Sequence, residues 1–398
     1  MLGLADLPLL LDFLVVVQAV VIFLFAGYEY LTLWNFPALP ANTEPRSDPP
    51  MVSIILPVRN QARTVVECLD SLVSLDYPNK EVIVVEGHST DGTQDLLRKY
   101  QGQVKVIEEE PLPPGWVGKN WACYLGYKQA QGDLLLFTDG DSIHSPASLK
   151  RTVSYLQSTN ADMVTLAPGA ILKTFWEKLL QPPIFLLIVL FVGGKWVNDD
   201  TRKNSLGNGQ YMLFRRGAYE KVGGHEKVRE RIVEDYTLAR LVKLAGLRLR
   251  IVTAQNALGV RMYSSLREVW RGWRKNFYEV SDNHKLTRAI LRLLLLFSVL
   301  VLPFVVLGYG IFLLPSTPFN LYLFAGAFMS GLLWLGVLIF YRAVSVSRLY
   351  GLLFPLAIMI YIGIGLDSTI RGALGLGVPW KGRVYGRPIE NPVGSRIA

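Results

Sequence analysis

The sequence predicts an α/β domain built on a mostly parallel sheet with flanking helices, joined to transmembrane helices at both ends of the chain. Three observations predict it. Short β-rich runs alternate with helical patterns from residue 51 onward, long apolar runs lie near both ends, and polar acid-bearing loops follow the strands. Alternating strands and helices imply a parallel sheet covered on both faces.

Hydrophobic residues make up 51% of the 398 residues and charged residues 18%, with a mean hydropathy of +0.30. That is too apolar for an ordinary soluble enzyme, and the excess is concentrated outside residues 44–170, which read as a soluble α/β protein. Lys and Arg number 41 against 32 Asp and Glu, a net charge of +9. Nucleic acid is one partner for such a charge. Beside apolar runs of this length, it reads instead as positive-inside bias against anionic headgroups, so no nucleic-acid partner is expected. Cys68 and Cys123 sit in helical patterns without metal-ligand spacing, which argues against a disulfide scaffold or a structural zinc.

The first apolar run, residues 9–33, carries only Asp12 and Glu29 as charges. It is long enough for one crossing, which takes about 20 residues. No Lys or Arg precedes Arg46, so the basic start of a signal peptide is missing. Arg46, Arg59 and Arg63 after the run place the N-terminus outside and the next domain in the cytoplasm. Residues 1–34 are therefore expected as a transmembrane helix, 35–50 as a linker and 51–285 as a cytoplasmic domain.

Residues 289–314 and 319–341 read as two crossings around Pro315-Ser-Thr-Pro318. Residues 349–366 are at the minimum spanning length. If they cross, Arg371, Lys381, Arg383, Arg387 and Arg396 lie outside, against the basic-residue rule. A re-entrant or interfacial helix removes the conflict, and both options stand. Residues 286–370 are thus a helical membrane region and 371–398 a basic tail. The run 179–192 is broken by Pro182-Pro183 and flanked by Lys178 and Lys195. An interfacial helix near residues 175–196 fits it, a buried core helix being the alternative.

Within the α/β region, strands are expected at 52–57, 81–85, 104–107 and 134–138, and helices at 64–75, 91–100, 118–130 and 236–245. In such sheets ligands sit where loops leave the carboxyl ends of strands. Pro57-Val-Arg-Asn60 follows the first strand, Glu86-Gly-His-Ser-Thr-Asp-Gly92 the second, and Asp139-Gly-Asp141 the fourth. Any one of these is explained by a turn. Three on one sheet edge point to a site. Asp139 and Asp141, one residue apart at a strand end, can aim oxygens at a hard divalent cation, Mg²⁺ or Mn²⁺, that bridges a diphosphate.

In this order Ile54-Ile-Leu-Pro-Val-Arg-Asn60, Val84-Val-Glu-Gly-His-Ser-Thr-Asp-Gly-Thr93, Asp139-Gly-Asp141 and Glu234-Asp235 resemble glycosyltransferase family 2. Pro111-Leu-Pro-Pro-Gly-Trp-Val-Gly-Lys-Asn-Trp-Ala-Cys123 and Trp380-Lys-Gly-Arg-Val-Tyr385 resemble its membrane-anchored branch linked to carotenoid and hopanoid glycosylation. The resemblance implies a GT-A fold and inverting, metal-dependent transfer of one sugar from a nucleotide-sugar donor, UDP-linked ahead of GDP-linked. It also implies a lipid-soluble acceptor at the cytoplasmic face of a plasma or thylakoid membrane. A polyprenyl-phosphate acceptor is the alternative, and a non-catalytic nucleotide-binding membrane protein a further one. Two departures stand out: Gln61 where the family has Glu, and Glu86-Gly-His-Ser where it has Asp-Asp-Gly-Ser. Trp270-Arg-Gly-Trp-Arg-Lys-Asn276 replaces the Gln-x-x-Arg-Trp signature of processive synthases, which argues for a single transfer.

By the same resemblance, Glu86 and Asp91 hold the nucleoside, and Pro57 and Arg59 line the pocket. Asp139 meets ribose or metal, Asp141 ligates the metal, and Asp235, beside Glu234, is the base. Glu234 and Asp235 at a helix start are also favourable macrodipole partners on their own. Lys119 adds charge near the donor phosphates or is a solvated helix-start lysine. His225 ligates metal, shapes the acceptor mouth, or is a loop histidine without a role. Arg271 and Arg274 share a helix face beside Trp270 and Trp273, placed to anchor to headgroups or to close on the donor diphosphate.

Overall fold

The computed structural model describes residues 7–33, 37–41, 48–192, 194–280, 286–380 and 383–385. The expectations for Arg46, for much of the 35–50 linker, for Lys381 and for the tail beyond Tyr385 lie outside these residues. The chain divides into two compact units. One, a sheet unit, comprises Leu24–Ser264 with Gly336–Arg348. The other, a helical unit, comprises Met1–Phe23, Ser265–Leu335 and Leu349–Ala398.

The sheet unit carries eight strands: β1 (Val52–Val58), β2 (Lys80–Glu86), β3 (Lys105–Glu108), β4 (Leu134–Phe137), β5 (Ser142–His144), β6 (Met163–Ala170), β7 (Met212–Arg215) and β8 (Leu249–Val260). Their order is β3-β2-β1-β4-β7-β6-β8-β5. The half from β3 to β4 is parallel, as the alternation predicts. β7 then runs antiparallel to both β4 and β6, so the sheet is mixed. Along β1 the side chains serve two cores. Ile54 and Leu56 pack with Leu69, Leu72, Leu149 and Leu156 on one face, and Ile55 packs with Cys123, Phe137, Leu238 and Val242 on the other. Both faces being covered explains why β1 and β4 read as continuous apolar runs. Gly126 lets the helix Gly118–Gln129 lie directly on the sheet, since a Cβ there would fall 2.5 Å from Ile55 Cγ2.

The apolar run around Pro182 forms the helix Phe175–Val192, with Leu179, Leu180, Ile184, Leu186 and Leu187 buried. Pro183 has no N–H to offer the carbonyl one turn earlier. Tyr341 fills the gap, its hydroxyl donating to the Leu179 carbonyl at 3.1 Å. The segment Pro37–Leu39 is laid along β8 by a backbone bond from Leu39 N–H to Thr253 O and one from Thr253 N–H to Pro37 O, each 2.8 Å.

Three helical stretches among the described residues are long and apolar enough to cross a membrane: Pro8–Tyr28, Leu321–Ala343 and Phe354–Ala373. The expected crossing at 289–314 is formed by a pair, Leu286–Leu300 and Leu302–Phe312, bent by 47° with Pro303 just after the break, which together are long and apolar enough for a broken span or a re-entrant loop. The last helix runs past residue 366 to Ala373, giving 20 residues in place of the short run expected. Its charges are internally paired. Asp367 accepts from Arg371 at 2.9 Å, from Arg274 at 3.0 Å and from Trp270 at 2.8 Å. These partners belong to the helical unit, where Leu266–Val280 packs on Phe354–Ala373. Gly310 and Gly326 allow close helix contact, since a Cβ at either would lie under 2.5 Å from backbone nitrogen of the facing helix.

Candidate active site

The carboxyl ends of β1, β2 and β4 place three loops on one edge of the sheet. The first two are stitched together. Asn60 donates its N–H to Ser89 Oγ and accepts from Thr90 N–H, both at 2.9 Å. Gln61 N–H donates to Thr93 Oγ1 at 2.9 Å and Ala62 N–H to Asp91 Oδ2 at 3.0 Å. Positive φ values at Asn60 (51°) and His88 (55°) make the reversals these contacts need. Arg59 adds a bond to the Gly87 carbonyl. Pro57 sits in register with Val85 on the adjacent strand.

The two acids expected to hold a nucleoside both shape these loops. Buried Glu86 accepts from Ser89 N–H at 2.7 Å, His88 N–H at 3.0 Å and Gln94 Nε2 at 2.7 Å. Burial opposes its ionisation, but these donors outweigh it and hold the carboxyl below its ordinary range. Asp91 is exposed, and its Oδ1 accepts from the Thr93 N–H and hydroxyl. Burial again works against ionisation there, and the hydrogen bonds from Thr93 and Ala62 win.

The third loop meets a second region of the chain. Lys119, in the first turn of Gly118–Gln129, puts its ammonium 2.6 Å from Asp139 Oδ1 and 2.8 Å from Glu234 Oε1. One cation thus joins the loop after β4 to the start of the helix Glu234–Leu244. Burial alone would lower the lysine, but Asp139 and then Glu234 outweigh it and hold the ammonium well above its ordinary value. Asp235 lies beside this group. Burial, and next the charge of Glu234, push it up to about 6 against the opposing pull of Lys119. Its Oδ2 accepts from Gly209 N–H at 2.8 Å and its Oδ1 from Tyr236 N–H at 2.7 Å.

Gly207 and Gly209, which the sequence alone did not single out, press against this group. A Cβ on Gly207 would sit 2.2 Å from the Asp235 carbonyl oxygen, and one on Gly209 would sit 2.8 Å from Lys119 Nζ. The Gly-Asn-Gly triplet was the available signal, because paired glycines mark a close backbone approach. Beneath the third loop, Thr138 donates to the Gln210 carbonyl at 2.8 Å and lies 3.1 Å from His144 Nε2.

His225 goes elsewhere. It is fully buried, 2.9 Å from the Tyr219 hydroxyl and with its ring centroid 4.5 Å from that of Phe137. Burial, and then the charge of Lys119, lower it to about 3. Among the described residues no group of three or more His, Cys, Asp or Glu side chains forms a metal cage, so His225 does not complete a ligand set with Asp139 and Asp141. A hard cation that draws its other oxygens from a diphosphate and water needs only one or two carboxylates. Asp139 and Asp141 at the strand end offer carboxylate oxygens of the kind such an ion takes, and Asp139 already holds the Lys119 ammonium at 2.6 Å. Of the remaining expected residues, Arg271 is exposed and Arg274 is buried on Asp367 in the helical unit.

Residues 53–223 match the sequence profile of glycosyl transferase family 2. The 4,4'-diaponeurosporenoate glycosyltransferase of Staphylococcus haemolyticus (strain JCSC1435) is 24% identical over 228 residues, covering 56% of this chain and 60% of that protein. The protein of the same name from Staphylococcus aureus (strain USA300) is 26% identical over 229 residues, with the same coverage. The chain thus spans about 60% of the length of these curated relatives. In fold, the chain is similar to the mannosyltransferase PcManGT from Pyrobaculum calidifontis, solved in complex with GDP-Man and Mn²⁺. The TM-score is 0.51 at 17% identity, over 89% of this chain and 99% of that one. The sheet with its flanking helices is a GT-A fold.

Proposed function

We propose, from the match of residues 53–223 to the glycosyl transferase family 2 model, that the chain transfers a single sugar, with inversion, from a nucleotide-sugar donor to a lipid-soluble acceptor. The reading places the reaction at the cytoplasmic face of the membrane. One observation carries it: Lys119 binds Asp139 and Glu234 at once, so the strand-end acids and the Glu234-Asp235 pair share one cleft.

The nucleoside lies over the stitched loops after β1 and β2, where exposed Asp91 is open to it and buried Glu86 supports the turn from below. Asp139 and Asp141 would hold Mg²⁺ or Mn²⁺, which supplies charge neutralisation on the departing diphosphate. Lys119 adds a fixed positive charge on the same side. With a hydroxyl acceptor, Asp235 takes the proton as the acceptor oxygen bonds to the anomeric carbon and the bond from that carbon to the phosphate oxygen breaks, releasing a nucleoside diphosphate. A carboxylate acceptor is already ionised and makes the same displacement without that proton transfer. The raised pKa of Asp235 makes it a better base than an exposed aspartate while leaving it ionised at neutral pH. The candidate spans and the staphylococcal relatives, named for a carotenoid acid, support a lipid acceptor.

The test is Asp235→Asn assayed on two acceptors, a lipid alcohol and a polyprenyl phosphate. A hydroxyl acceptor predicts a loss of about 10³-fold in kcat for the alcohol, since general-base catalysis is worth roughly that much. Equal activity of the variant and wild type on the alcohol contradicts the role of Asp235. Turnover of the phosphate alone, by both proteins, favours the polyprenyl-phosphate reading.

A further inference from the structure

The first turn of the helix Gly118–Gln129 does more than supply Lys119. The next residue, Asn120, is fully buried, and its side-chain amide donates to the carbonyls of Val228 at 2.8 Å, Arg229 at 3.2 Å and Arg231 at 2.8 Å. Val117 N–H, at the head of the same helix, donates to the Arg229 carbonyl at 2.7 Å. The segment so gripped has Arg229, Glu230 and Arg231 exposed, and it leads straight into Glu234 and Asp235. Asn120 Oδ1 has no hydrogen-bond partner among the described residues, so all the polar bonding of this side chain is spent on that one loop.

We propose that Asn120 is a positioning residue that sets the Glu234-Asp235 carboxylates against the cleft by clamping the loop 228–231 to the helix that carries Lys119. Two neighbouring side chains of one helical turn then hold the two ends of one lever. Asn120 fixes the loop backbone, and Lys119 fixes the Glu234 carboxylate that follows it. An amide does this and a carboxylate cannot, because three carbonyl oxygens converge where the amide presents its two N–H bonds. Asp at position 120 keeps the shape and turns attraction into repulsion. Ser keeps one short donor. A shift of about 1 Å in a catalytic group costs on the order of 100-fold in rate, so the clamp matters to chemistry more than to donor binding, whose expected contacts lie chiefly on the loops after β1, β2 and β4.

This inference rests on reading Asp235 as the base. The experiment uses the full chain in lipid nanodiscs: wild type, Asn120→Asp and Asn120→Ser. Three quantities are measured: calorimetric binding of UDP with Mn²⁺, amide hydrogen exchange across residues 228–237, and steady-state transfer from labelled UDP-glucose or GDP-mannose into a lipid extract. The proposal expects Asn120→Asp to raise exchange locally and to lower kcat about 100-fold, with UDP affinity and donor KM within about twofold of wild type. Asn120→Ser falls between the two. Wild-type kcat in either folded variant, or unchanged exchange at 228–237, overturns the proposal. If Asn120→Asp fails to fold, Asn120→Ser decides by the same two criteria. A wild type that transfers no sugar overturns the glycosyltransferase reading itself, a result distinct from an active wild type with an equally active variant.

Discussion

Lys119 and Asp139 lie 2.6 Å apart, and the same ammonium reaches Glu234 at 2.8 Å. With Glu234 almost wholly buried, the lysine is its nearest compensating charge. Lys119→Met leaves that carboxylate buried and uncompensated, which costs about 1–3 kcal/mol of stability and lowers transfer by at least about 100-fold. Lys119→Arg keeps the charge and loses less. Thermal unfolding and steady-state kinetics on the three proteins check both parts.

The pH dependence follows from Asp235. A base must be ionised, and burial with the neighbouring Glu234 charge has pushed this one up to about 6. The rate, kcat/KM, is therefore flat above neutral pH and falls about tenfold per unit as pH drops through about 6. The charges of Glu234 and Lys119 act on the carboxylate, and Asp139 and Glu234 both bind that lysine. Because Lys119 pulls the Asp235 value down, any activity left in Lys119→Met has its acid limb shifted to higher pH.

The two glycines before β7 differ in what an added methyl meets. Gly207→Ala drives a Cβ to 2.2 Å from the backbone oxygen of Asp235, which cannot yield without moving the helix start. A loss of about 10–100-fold in kcat is expected. Gly209→Ala meets the tip of the Lys119 side chain at 2.8 Å, and that flexible tip can yield. Its loss is smaller, and a kinetic comparison of the pair reads the difference.

Glu86 ties together the loop that follows β2. Glu86→Ala strands the His88 and Ser89 N–H groups and the Gln94 amide, at a cost of about 1–3 kcal/mol. The sign of the pH effect is fixed by the lowered folded-state pKa. The contribution of the carboxylate is fully present above the unfolded-state value and is lost as pH falls through the folded-state value. Denaturant unfolding of wild type and variant should therefore converge at low pH.

The parallel half of the sheet was legible because β1, β2 and β4 are apolar runs with helices between them. β7 was not, since four residues following a glycine-rich loop carry no period of their own. The acidic loops could be read from their place after strands, and Glu234-Asp235 from resemblance. The Lys119 bridge could not, because it joins residues distant in sequence. His225 looked like a ligand only while its neighbours were unknown; Phe137 and Tyr219 come from other elements and close around it. The last apolar helix looked short because Asp367 and Arg371 read as its end, whereas pairing with each other and with Arg274 lets it continue.

The central claim is tested most directly by mass spectrometry of lipids after the purified chain, in bilayer and with Mn²⁺, is given isotopically labelled nucleotide sugars and a native lipid extract. The account predicts a lipid heavier by one labelled sugar, with matching release of nucleoside diphosphate. Intact donors and unchanged lipids across UDP- and GDP-linked sugars, from protein that binds the nucleotide, would contradict it.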